Sequence, residues 1–121
     1  MPEPAGAPKL ARSLEAGKPV RLERTASIAD GLITLTVGAI PFAELAAQRG
    51  RVAGVALVDD DALREAVHFL WRSCRLAVEP SGAATTAALR SGAVQAPRPV
   101  VLVVSGGNVD PSLLEGPEAR A

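Results

Sequence analysis

Aromatic residues are nearly missing from this chain: among 121 residues there are one Trp, two Phe and no Tyr. A core without them has to be built from Ala, Val, Leu and Ile, which bury less area per residue, so modest stability is expected. Cysteine occurs once, at Cys74, which excludes an intrachain disulfide and a cysteine-based zinc site. An excess of either charge is also lacking, with 13 basic residues against 13 acidic ones, and this argues against a nucleic-acid partner or an anionic membrane surface. Long hydrophobic runs are absent too. The apolar stretches 52–58 and 100–104 are strand-sized, and Met1 is followed by prolines and an acid instead of a basic segment and an apolar one. No export or membrane signal is read, and the cytoplasm is the natural compartment.

What is present is the composition of a folded protein: 48% hydrophobic and 21% charged. One packed domain over residues 1–121 is expected. Leu10 and Leu14 with charged neighbours predict a short helix over 8–16, closed by Gly17. Pro19 forces extension, with a weak strand or extended segment at 20–23, and 27–32 reads as a loop of small residues. A second helix is predicted from Pro41 to near Gly50, followed by a buried strand at 52–58. Asp59, Asp60 and Asp61 open the strongest periodic stretch, in which Leu63, Ala66, Val67, Leu70, Trp71 and Cys74 fall on one helical face. An Ala-rich helix over 81–89 and a second buried strand at 100–104 complete the order. Apolar strands separated by helices define an α/β class with a mainly parallel sheet flanked by helices.

The 100–104 strand runs directly into Ser105-Gly106-Gly107-Asn108-Val109-Asp110. In parallel sheets ligands gather at the carboxyl ends of strands, and the glycines let a backbone pass close to a bound ring. The same residues also suit a tight turn capped by Asn108 or Asp110. Two further segments, Ser27 to Leu32 and Val78-Glu79-Pro80-Ser81-Gly82-Ala83, stand before it in order and approximate spacing. Together with Glu3-Pro4-Ala5-Gly6-Ala7-Pro8 and the acidic helix opening, these motifs resemble the C-terminal part of the threonine/serine dehydratase and serine racemase family. That family consists of pyridoxal-phosphate (PLP) enzymes of fold type II. The resemblance covers nearly the whole chain, leaving out residues 115–121, and residues from about 111 onward read as a tail.

The resemblance implies that Ser105 hydrogen-bonds the pyridine nitrogen of the cofactor, with Gly106 beside it, that Glu79 approaches the cleft, and that Gly31 borders the ring. A neutral hydroxyl at the ring nitrogen suits β-elimination or racemisation better than transamination. Glu79 is equally readable as a carboxylate at a helix N-terminus, and Asp30 as an ordinary loop cap instead of a group that steadies Gly31. Glu3 and Ala7 match two of the positions that bind a divalent cation in relatives of serine racemase, but the third, normally acidic, is Lys9. An ammonium there repels a hard cation, so no metal site is expected. Lys9 either pairs with Glu3 in the cation's place or points into water. His68, between Arg64 and Arg72 on α-helical spacing, is read as part of a solvated face.

The lysine that anchors PLP as a Schiff base and the glycine-rich loop that holds its phosphate belong to the family's N-terminal half. Only Lys9 and Lys18 occur here, neither in that lysine's motif, so no catalytic residue is assigned and the chain alone is expected to be inactive. Its first residues match the end of a family strand, so that strand is expected to be missing and the sheet to be left with open edges. Two readings follow. The chain is the C-terminal part of a PLP-dependent ammonia-lyase acting on L-threonine or L-serine, meeting its hydroxy amino acid only in a complete enzyme. Alternatively it is a non-catalytic interaction module or split-enzyme half, self-associating as a homo-oligomer or pairing with a missing catalytic half.

Overall fold

The computed structural model describes residues 1–48, 50–52, 54–97 and 99–115. The elements run β1 (Pro2–Pro4), α1 (Lys9–Ala16), a 3-10 turn (Asp30–Leu32), α2 (Ala39–Ala47), β2 (Ala56–Val58), α3 (Asp60–Cys74), α4 (Pro80–Arg90) and α5 (Pro111–Leu114). The strongest sequence signal produces the longest element. Asp59 caps α3 by accepting from the Ala62 amide at 2.7 Å, and Asp60 and Asp61 in the first turn favour the helix dipole. Leu63, Ala66, Val67 and Leu70 then bury one stripe.

That stripe lies on α4, whose buried positions are mostly small: Gly82, Ala83, Ala84, Thr86, Ala87 and Ala88. Small residues let the two helix axes approach closely, so packing density compensates for the shortage of aromatics. Val58, Val78 and Ala29 close the same core, and the Arg90 guanidinium covers the Phe69 ring at 4.0 Å.

The sheet is two-stranded and parallel, with Pro2 opposite Ala56 and Pro4 opposite Val58. The prolines of β1 are tolerated because each strand has a single ladder neighbour. The class is α/β, as expected, but the strands differ from the sequence reading. The predicted strand 52–58 is confined to Ala56–Val58, with only Val58 buried, because the ladder extends no further than three-residue β1 allows; Ala53 lies outside the described residues. Glu3-Pro4, expected to stand at the end of a strand, lies in the three-residue β1.

The predicted buried strand 100–104 is neither paired nor buried: Val101 is 88% exposed and Val103 71%. With no ladder partner among the described residues, it runs extended across α4, turning Leu102 and Val104 inward and Val101 and Val103 outward. Residues 20–23 are likewise unpaired as a strand, held by one backbone bond from Leu22 N–H to the Leu35 carbonyl, 2.8 Å.

Helix limits shift for local reasons. α1 ends as predicted, with Gly17 in the left-handed region. α2 starts at Ala39, two residues ahead of Pro41, which is tolerated because first-turn amides have no intrahelical acceptor. On α3, Trp71 and Cys74 are exposed, not part of the buried stripe, which ends at Leu70. The helix stops at Arg75, which takes a left-handed conformation (φ 60°) without glycine. In the expected tail, Pro111–Leu114 form one helical turn with Leu114 packed on the core; residues 116–121 lie outside the described residues. Among the described residues no helix is long and apolar enough to cross a membrane.

Candidate functional site

The loop 27–32 is fixed from three directions. Asp60, just beyond β2, accepts from the Ser27 hydroxyl at 2.5 Å and from the Ile28 amide at 3.2 Å. Ser81, in the first turn of α4, accepts the Gly31 amide at 3.0 Å. Lys9, from α1, donates its ammonium to the Leu32 carbonyl at 2.7 Å. Asp30 acts locally, accepting from the Gly31 amide at 2.8 Å, a bond that both caps the turn and steadies Gly31.

Beside Gly31 stands Glu79. It occupies the N-cap position of α4, where a carboxylate meets the positive end of the helix dipole, but its side chain makes no cap bond. Its carboxylate reaches out over Gly106, and its backbone amide donates to the Gly106 carbonyl at 3.0 Å. Gly106 is left-handed (φ 71°), and a methyl there would strike the Glu79 carboxylate. The left-handed backbone is what favours glycine here, since the Glu79 side chain is flexible enough to move aside.

Ser105 is held differently. Its carbonyl lies so close to Gly82 that a methyl on that helical residue would overlap it, and further along α4 Thr85 Oγ1 donates to the Val103 carbonyl at 2.7 Å. These contacts fix the Ser105 backbone on α4 while the residue itself remains exposed, its hydroxyl making no hydrogen bond to any described residue. At the far side of the segment Asp110 caps α5. Its carboxyl is held below the ordinary carboxylate value by the Ser112 backbone amide, with the Ser112 hydroxyl adding to the effect and slight desolvation opposing it.

Gly31, Glu79, Ser105 and Gly106 are thus gathered through α4. Asp60 and Ser81, which position the loop, were not singled out from sequence; an acid in the first turn of a helix reads as a dipole partner, and nothing local shows it reaching back 32 or 33 residues. The cluster is an open wall. A cavity of about 660 Å³ lies elsewhere, against Arg12, Arg21 and Arg24, and another of about 300 Å³ touches Gly31 but not Glu79, Ser105 or Gly106.

The Glu3 carboxylate, 4% exposed, accepts from the Leu10 amide at 2.8 Å and the Ala11 amide at 3.1 Å. It caps α1 from a neighbouring strand, a task Pro8 at the N-cap cannot perform. Lys9, 8% exposed, pairs with it at 3.4 Å. The Ala7 carbonyl, matched by resemblance to a cation ligand, instead accepts the Lys9 backbone amide at 2.8 Å. His68 is half-buried on α3, away from the described cluster's contacts.

Three sequence segments thus meet beside α4 in a parallel α/β layer. The chain belongs to the pyridoxal-phosphate dependent enzyme family, whose profile matches residues 1–106. It is 35% identical over 108 residues to the biosynthetic L-threonine dehydratase of Mycobacterium leprae, covering 89% of this chain and 25% of that protein. Among solved structures it is similar to a threonine deaminase from T.th. (TM-score 0.81, 40% identity, 90% of this chain, 36% of that one). Maize serine racemase is another (TM-score 0.77, 39% identity, 89% and 34%). The chain thus spans about a quarter to a third of the length of these relatives. Its fold is that of the C-terminal portion of fold type II PLP enzymes.

Proposed function

We propose that this chain forms the C-terminal wall of a PLP site that carries out β-elimination on L-threonine or L-serine, giving a 2-oxo acid and ammonia, and that the 121 residues do not perform the reaction by themselves. The observation that carries the reading is the meeting of Gly31, Glu79 and Gly106 around the first turn of α4, with the Ser105 hydroxyl exposed beside them.

The residues suit one edge of the cofactor. In a complete site PLP supplies an electron sink for the substrate carbon next to the amine. Ser105 offers its ring nitrogen an uncharged partner that does not hold it protonated. Glu79 borders the same cleft, and the Gly31 backbone, fixed by Ser81, limits how far the ring can shift. One hydrogen bond contributes about 1 kcal/mol, while micromolar affinity needs about 8 kcal/mol, so this edge orients a cofactor without retaining it. Neither lysine supplies a covalent anchor: the Lys9 amine is engaged by Glu3 and Leu32, and Lys18 lies exposed just past the end of α1. The exposure of Val101 and Val103 supports completion by further polypeptide, whether a catalytic half or a second copy, and it is also what favours the second reading, a non-catalytic interaction module.

The test is borohydride reduction of the purified chain with PLP, followed by mass spectrometry and assay of 2-oxo acids from serine and threonine. The expected result is no pyridoxyl adduct at a defined lysine and no oxo acid. Stoichiometric labelling of Lys9 or Lys18 with formation of pyruvate or 2-oxobutyrate would overturn the proposal and make the chain a self-sufficient enzyme.

A further inference from the structure

The Glu3–Lys9 pair has a geometry unlike that of an ordinary surface ion pair. Both side chains are buried, and the ammonium is shared between a carboxylate from β1 and a main-chain carbonyl from the 3-10 turn, 23 residues away. The carboxylate is in turn saturated by amides of the first turn of α1. A positive charge is therefore the centre of a three-element junction in which every partner presents oxygen. The carbonyl it grips belongs to Leu32, whose neighbour Gly31 gives its amide to Ser81 at the edge of the site. A divalent cation, which binds at the positions matching Glu3 and Ala7 in relatives of serine racemase, does not fit: the Lys9 ammonium already lies between Glu3 and Leu32 and repels it.

We infer that Lys9 is a built-in cation, a positioning residue that ties the Asp30–Leu32 turn to β1 and α1 and so sets the Gly31 edge of the site without any metal ion. The junction is a property of this chain's own residues. It stands whether or not the proposed PLP reading holds, since the measurements below contain no cofactor.

The experiment uses the whole chain and reads amide hydrogen exchange at residues 31–33, with thermal midpoints, in calcium, in magnesium and in chelator. For the unaltered chain the expected result is no change in either quantity among the three conditions. A midpoint that rises with either cation and falls with chelator overturns the inference. Lys9→Met is expected to speed exchange at residues 31–33 about tenfold, through loss of the charged hydrogen bond, while protection in α3 and α4 is retained. Unchanged exchange at residues 31–33 overturns it. Lys9→Glu places two carboxylates and the Leu32 carbonyl around one point, an oxygen set suited to a hard cation, so calcium or magnesium is expected to restore protection lost in its absence. This rescue is read even if Lys9→Met fails to fold. If neither cation restores Lys9→Glu, the positive charge is not what the junction requires, and the inference fails.

Discussion

The α3–α4 pair and the 100–104 stretch are made of the same kinds of residue and end in opposite environments. Leu63, Val67 and the alanines of α4 are buried, whereas Val101 and Val103 face outward. Apolar content does not decide burial; a neighbour does. α3 and α4 are each other's neighbours and carry matching stripes, which form most of the core that Ala29, Val58 and Val78 complete. An isolated extended segment has two faces and two edges to satisfy, and α4 covers only one face.

The sharpest way to break the contrast is to weaken its buried side. Leu63→Ala empties a fully buried position and is expected to cost about 2–5 kcal/mol, seen as a lower denaturation midpoint at constant slope. A cost near zero would mean that α3 and α4 are not the main source of stability. Next in size is Gly82→Ala, which drives a methyl into the Ser105 carbonyl. It is expected to cost about 1–3 kcal/mol and to accelerate hydrogen exchange across residues 103–107 while leaving α3 protected. Uniform acceleration throughout the chain would show that the stretch is part of the core after all. Smallest is Val101→Lys, expected to change stability by no more than about 0.5 kcal/mol, as at an uncovered surface position. A drop beyond about 1 kcal/mol, with a smaller sedimenting species, would show that Val101 is covered in solution by another chain.

The same contrast explains what could be read in advance. α3 and α4 were legible because their caps, periodicity and small residues act within a few positions of each other. The α/β class followed from strand-sized apolar runs between helices. Strand pairing was not legible, since whether 100–104 acquires a ladder depends on neighbours that those five residues do not themselves specify. The end of α3 was hidden because Arg75 adopts a conformation for which glycine is the usual signal. At the site, Ser105, Gly106, Glu79 and Gly31 were found through motif resemblance and do lie close together. Asp60 and Ser81 were not found, because their partners are 32 or 33 and 50 residues distant. The Glu3–Lys9 pairing was one of two alternatives for Lys9, and it forms because Glu3 is already drawn to the amides of α1.

At Gly82 the main chain of α4 meets the main chain of Ser105 directly. A spacing set that way depends on bond lengths and the helix radius at the point of contact. Position 82 thus works as a stop: any side chain there would hold the Ser105 carbonyl, and with it the exposed hydroxyl, further from α4.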